Sequence, residues 1–377
     1  MNNEKPTFDP FATVHITSTR DDAVSAVCLV DSHIEFERLS PDDDDSSSDD
    51  DDDEWMLPSR NQFLARTTDP TNILYVTGQR SGDAFLWKGH NQLYSLSPNR
   101  GGTCLSLQRA GPGRVLLQTK DEAGTVSFHD LETNQTLSSF QTMSKTFCAA
   151  VSYENYWTLL PTSVETVVQL YDERQSSART RVFHAAGLSP NDGSHNLRQY
   201  GMVSSLAGDA NMIACGMESG HVFYHDIRME PRVCSSVKLN SSNPIICLDM
   251  KERNESNSIV TVAGQAGDKD DQNTISWIES KQDQESIQSR VRTQLSTSRT
   301  GKTGVSCARL LSERLAAVGG WDGRLRIFNR SKLMALGRGH TGTIQSLDWH
   351  NSCVITGGVD GRVLLWDVSA FSAKNKT

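Results

Sequence analysis

The stretch 360-DGRVLLWD-367 is a turn, a short alternating strand and a Trp-Asp ending, and it recurs along the chain. Related segments are 81-SGDAFLWK-88, 123-AGTVSFHD-130, 219-SGHVFYHD-226 and 322-DGRLRIFN-329. In all five, a glycine stands five residues before an aromatic or histidine: Gly82 and Trp87, Gly124 and His129, Gly220 and His225, Gly323 and Phe328, Gly361 and Trp366. Glycine suits a tight hairpin turn that needs positive φ, and the alternation after it reads as a strand. Two more segments, 165-ETVVQLYD-172 and 273-NTISWIES-280, keep the strand and lose the glycine.

Upstream of each turn lies a second short strand with a small residue at one position: Ala26, Cys104, Cys148, Ser204, Cys247, Cys307 and Ser346. The seven aromatic-or-histidine positions, 87, 129, 171, 225, 277, 328 and 366, are 42, 42, 54, 52, 51 and 38 residues apart. A period of this size with several short strands per unit predicts an all-β fold, a seven-bladed β-propeller. Residues 11–18 form one strand more than the first unit needs, and the seventh unit ends at Trp366-Asp367. The N-terminal strand is therefore expected to be the outer strand of the last blade, closing the ring and covering a sheet edge. The propeller spans 11–371 on this reading, with tails at 1–10 and 372–377. In blade five, the polar turn 267–273 and the segment 281–304 imply a long hairpin tip and a long outer strand with a loop.

The chain has 377 residues, 36% of them hydrophobic, and a formal charge of −9. Ten of its 46 acids lie in the run Pro41–Glu54, which leaves 36 acids against 37 bases in the rest. The body is near neutral, so no direct nucleic-acid binding through phosphate neutralisation is expected. A loop of ten negative charges cannot pack, so residues of about 39–60, inside blade one, are expected to be disordered. The N-terminus MNNEKPTFDPF lacks the features of a signal peptide or presequence, and no window approaches the ~18 apolar residues of a membrane span. Eight cysteines without a CxxC pair fit free thiols in a reducing compartment. A soluble intracellular protein is the expectation.

The last repeat carries His340, Thr356, Asp360 and Trp366, the side-chain set of a WD repeat. Aspartate can accept from one ring nitrogen of histidine, the hydroxyl can pair with the other, and the indole N–H can donate to that hydroxyl. Such a buried chain ties strands together, because each group needs a partner away from water. The same residue types spell a hydrolytic triad, but their order and spacing match the structural tetrad. Cys104, Cys148, Cys247 and Cys307 could suggest a four-thiolate metal site. They recur once per blade around a ring, so small core residues are expected and no metal. The string 300-TGKTG-304 lacks the first glycine of a phosphate-binding loop, since position 296 is serine, and it precedes a strand. Asp322 and Asp360 belong to separate hairpins and do not pair as acid and base. No catalytic residue and no cofactor are assigned.

Ser46, Ser47 and Ser48 each have an aspartate three residues later, the pattern favoured by acid-directed kinases. They are candidate phosphosites, each adding about −1.5 to −2 charges when modified; the plainer reading is a solubilising loop. Trp321, beside the turn aspartate Asp322, is a candidate partner contact because an aromatic at an exposed turn can anchor an interface. The alternative is a ring packed flat on its neighbour.

The block 316-AAVGGWDGRLRIFNRSKLMALGRGHTGTIQSLDW-349 resembles the ASTRA-associated protein 1 family of WD-repeat proteins, which includes the G protein subunit β-like protein 1 of animals. Gly320, Trp321, Asp322, Arg324, Leu325, Arg326, Ile327, Phe328, Leu336 and His340 fall on the family's near-terminal pattern. The likeness extends to Asp9-Pro10, to 113-GRVLLQTKDEAGTVSFHDLE-132 and to Phe147-Cys148. It implies a non-enzymatic scaffold associated with the ASTRA and Tel–Tti co-chaperone assembly, in the maturation of phosphatidylinositol-3-kinase-related kinases and in chromatin remodelling. A monomeric propeller within a larger complex, in nucleus and cytoplasm, follows from that resemblance. The acidic insert lies outside the likeness. The alternatives are another WD adaptor, such as a ubiquitin-ligase substrate receptor, and a signalling G protein β subunit. The second begins with a helix that coils with its γ partner, whereas this chain enters a strand after a short polar segment.

Overall fold

A computed structural model of the chain describes residues 7–8, 10, 12–15, 23–30, 72–97, 102–154, 156–173, 181–186, 198–228, 233–239, 242–253, 258–267, 273–282, 287–296, 304–330 and 332–372. The strands form seven sheets arranged as a β-propeller, and every pairing within the seven four-stranded blades is antiparallel. The innermost strands, from blade one to blade seven, are Val24–Leu29, Thr103–Arg109, Val151–Tyr153, Val203–Asp209, Ile245–Arg253, Val305–Leu310 and Ile344–His350. In blade seven, Ala12–His15 pairs antiparallel with Arg362–Asp367, so the N-terminal strand closes the ring. Thr7–Phe8 adds a fifth, parallel strand to blade six beside Lys332–Arg338. One short stretch of chain therefore covers the outer edges of two neighbouring blades.

The alternation of each strand places apolar side chains on both faces, because each sheet is sandwiched between two others. The buried residues fall into seven clusters, one in each gap between blades. The blade six–seven gap, for example, holds Leu325, Ile327, Leu364 and the fully buried Trp366. Burying one such side chain is worth about 1.5–3 kcal/mol, so each gap supplies a large share of the driving force. The five turn glycines all have positive φ, from 59° at Gly124 to 96° at Gly82.

A β-bulge near the start of the innermost strand recurs in blades one, two, four, five, six and seven. The residue after it faces a glycine of the second strand in five of these: Ala26 and Gly78, Ser205 and Gly216, Cys247 and Gly264, Cys307 and Gly319, Ser346 and Gly357. These glycines receive the inner strand of the next blade. A Cβ on Gly357 would lie 2.6 Å from Val24 Cγ1 and 2.8 Å from Val27 Cγ1. Two of the small residues read from the sequence are therefore displaced. Ser106, not Cys104, follows the bulge in blade two, and Ser204 is itself the bulged residue. Cys148 lies ahead of the short inner strand of blade three.

Blade three is built differently. Only Val151–Tyr153 pairs as its inner strand, and two glutamines of blade two hold the segment before it. Gln118 donates to the Cys148 carbonyl at 3.2 Å and accepts from the Ala150 N–H at 2.6 Å. Gln108 donates to the Ala150 carbonyl at 2.9 Å and accepts from the Ser152 N–H at 3.1 Å. The amides thus satisfy alternate backbone groups as a neighbouring strand would. Carboxylates on other inner strands make a similar link to the next blade: Asp348 accepts from the Leu29 N–H at 2.9 Å, and Asp249 from the Leu310 N–H at 2.6 Å.

Blade five has the longest hairpin, Asn273–Gln282 with Ile287–Ser296. Its register corrects one sequence assignment. Trp366 pairs with Val354, three residues before Gly357, whereas the residue three before Gly264 is Thr261, which pairs with Ile278. Ile278 is thus the counterpart of Trp366, and Trp277 points the other way, into the gap with blade six. Without the turn glycine, the repeat could not be aligned to the residue. The chain ends its described part in a single helical turn, Ser369–Ser372, with Phe371 packed on the blade six–seven core.

Candidate functional site

The four side chains expected at the last blade meet in one chain. His340, in the connection from blade six, has Nδ1 2.9 Å from Asp360 Oδ1 and Nε2 2.9 Å from Thr356 Oγ1. The Trp366 indole N–H donates to Thr356 Oγ1 at 2.8 Å. Asp360 also accepts from the Thr341 N–H at 2.8 Å, so the turn grips the connecting loop as well. Burial opposes ionisation of Asp360. The hydrogen bond and charge of His340, and the N–H groups of Thr341 and Arg362, outweigh it and hold the carboxyl below its ordinary range. Thr356 and Trp366 are fully buried. A hydroxyl sealed between strands cannot meet a substrate, so the geometry is that of a structural clasp, not a nucleophile and its base.

Other blades use fragments of this device. In blade one the Trp87 N–H donates to Thr77 Oγ1 at 2.9 Å. In blade six Asp322 receives a bidentate grip from the buried Arg326, at 2.9 Å and 2.5 Å. Val318 and Phe328 stand there in place of the hydroxyl and the indole. In the sequence Arg326 stands out only as one residue of the near-terminal pattern. The signal that could have singled it out is its position on a strand whose neighbours Leu325, Ile327 and Phe328 are all apolar.

Trp321 does not project freely from its turn. It is half-buried with its ring over Gly304, where a Cβ would lie only 2.3 Å from Trp321 Cδ2. Thr343 donates to its carbonyl at 3.1 Å, tying the turn to the next connection. Ser46, Ser47 and Ser48, with the whole acidic insert, lie outside the described residues. Cys104, Cys148, Cys247 and Cys307 occupy four different blades, and no cluster of metal-ligating residues occurs among the described residues. Burial pushes the thiols of Cys104 and Cys307 up to about 12, so they remain protonated and unreactive at neutral pH.

The inner strands enclose a central channel of about 540 Å³. One mouth, on the face carrying the second-to-third-strand turns, is edged by Arg80, Lys120, Phe147 and Val359. Phe147 is 75% exposed, and the Lys120 ammonium sits 2.9 Å from its ring centroid. Met143 and Val164, also exposed, belong to connections on the same face. At the opposite mouth Arg109 donates to His350 Nδ1 at 2.7 Å. Arg309 lies in the channel wall between Asp249 and Asp348, whose charges raise its pKa against the effect of burial. An apolar, cation-edged mouth with an exposed aromatic is suited to bind another protein.

The fold is a seven-bladed β-propeller, and the clasp of its last blade is that of a WD repeat. Residues 331–367, which cover the clasp, match the family model described as "WD domain, G-beta repeat". The β-propeller domain of Cps50 (Swd1) from Myceliophteria thermophila is similar in structure, with a TM-score of 0.61 at 14% identity, covering 78% of this chain and 93% of that one. The computationally designed protein Ika8 gives a TM-score of 0.50 at 15% identity, covering 80% of this chain and 82% of that one. At these identities the likeness concerns the fold. No curated protein sequence matches the chain, and no described helix is long and apolar enough to cross a membrane.

Proposed function

We propose that this propeller is a non-catalytic scaffold working with the ASTRA and Tel–Tti co-chaperone assembly, in the maturation of phosphatidylinositol-3-kinase-related kinases and in chromatin remodelling. It acts in nucleus and cytoplasm as a single propeller inside a larger complex. The observation that carries the reading is the likeness of residues 316–349 to the ASTRA-associated protein 1 family, colinear with the likeness at 113–132 and at Phe147-Cys148. Support for the scaffold role comes from the exposed Phe147 at the channel mouth, an apolar group kept in water beside the Lys120 ammonium.

Affinity purification with mass spectrometry tests it, comparing wild type, Phe147→Glu and a chain lacking residues 41–54. Recovery of Tel–Tti subunits with wild type and their loss with Phe147→Glu is the expected result. Recovery of a cullin adaptor in their place would make the chain a ubiquitin-ligase receptor and sink the proposal.

A further inference from the structure

The gap between blades five and six opens, on the face opposite Phe147, into a cavity of about 430 Å³. Its walls bring together the end of an inner strand (Arg253), a long hairpin (Trp277, Glu279, Arg292) and two turns of blade six (Glu313, Arg330). Glu279 accepts from Arg253 at 3.1 Å and from Arg292 at 2.5 Å, and Arg253 also pairs with Glu313 at 2.8 Å. Arg290 stands 3.8 Å from Glu279, and it and Arg292 are exposed. Lys281 acts through its charge on Glu279, and Arg314 on Arg330. Three cations, Arg253, Arg292 and Arg330, line the cavity against Glu279 and Glu313, and both carboxylates are already engaged.

Two observations show that the excess is felt. Burial, with the charges of Arg253 and Arg314, lowers the pKa of Arg330 despite the nearby Glu279 and Glu313. Arg330 forms no ion pair with a described residue. In the same cavity Trp277 is 3% exposed, and its indole Nε1 has no hydrogen-bond partner among the described residues. An indole nitrogen can only donate, and a buried donor left unpaired costs about 1–3 kcal/mol. In blades one and seven the third-strand indoles, on the opposite face of their sheets, are satisfied by Thr77 and Thr356. Trp277 has no such partner because it faces the other side of its sheet, into the arginine cavity.

We propose that this cavity is an anion site that takes a phosphoryl group, held by Arg330, Arg290 and Arg292 at the rim and by the Trp277 N–H within. A carboxylate brings one charge; a phosphate monoester brings nearly two and three acceptor oxygens, which match several guanidinium forks and one buried donor. The group can come from a phosphoserine of an acidic peptide or from a free phosphate compound.

The test is fluorescence anisotropy with a labelled peptide Asp-Asp-Asp-pSer-Asp-Asp-Asp and its unphosphorylated form, with inorganic pyrophosphate as competitor. It is run on the full chain and on the chain lacking residues 41–54, so that the protein's own acids cannot mask the site. The phosphopeptide should bind at least about ten-fold more tightly than the serine form, the scale of one charge-assisted hydrogen bond. Arg330→Glu and Arg290→Glu, both at exposed positions, should each weaken it about ten-fold with the melting midpoint unchanged, and Trp277→Phe should weaken it while preserving an aromatic ring. Displacement by pyrophosphate assigns the site to free phosphate compounds, and failure to displace assigns it to peptides. Equal affinity for the two peptides without pyrophosphate competition, or unaltered binding in both glutamate variants, overturns the proposal. Neither outcome bears on the co-chaperone reading, which concerns the other face.

Discussion

Thr356 is the centre of the last-blade clasp because a hydroxyl can donate and accept at once. It takes the Trp366 N–H at 2.8 Å and faces His340 Nε2 at 2.9 Å, and no apolar residue of the same shape could do both. Thr356→Val keeps the volume and leaves an indole N–H and a ring nitrogen buried without partners. The expected loss is roughly 2–4 kcal/mol, measured by urea denaturation, from two orphaned polar groups. A loss under half of that would mean the clasp opens to water in the native state. The clasp residues were legible in the sequence because their types and spacing are specific. Trp277 was not, since an aromatic in a strand does not reveal which face it occupies until the register is known.

The segment 146–150 precedes the shortest inner strand, Val151–Tyr153, yet Cys148 and Ala150 within it are fully buried. Gln108 and Gln118 explain how it is kept in place, since their amides supply the hydrogen bonds a ladder would. Replacing both with leucine removes four such bonds from the segment 148–152. Hydrogen exchange of the Ala150 and Ser152 amides should then accelerate by at least about ten-fold, while amides of blades five to seven stay protected. Unchanged exchange would show that packing alone holds the segment. Sequence reading found the strand by its small residue and missed the glutamines, because a side chain that imitates a backbone ladder has no periodic signature.

A propeller is closed only when its last blade is completed, and here the N-terminal residues do this for blade seven and also border blade six. Removing residues 1–15 exposes both edges. The melting midpoint should fall by several °C, and the truncated chain should self-associate through its free edges in sedimentation measurements. A monomer melting at the wild-type temperature would count against the closure. The sequence determined the class of fold, the blade count and the closing strand, because turn glycines and alternating strands are local and repeat along the chain. It also determined the clasp of the last blade. Only the tertiary structure decided which residues face each gap: Ser106 in place of Cys104, Ile278 in place of Trp277, and Trp321 lying over Gly304. The reason is physical. A bulge or a lost glycine shifts a strand by one residue and turns every side chain to the opposite face, and that shift is visible only once strands are paired. The arginine cavity likewise exists only where residues far apart in sequence, from Arg253 to Arg330, meet between two blades.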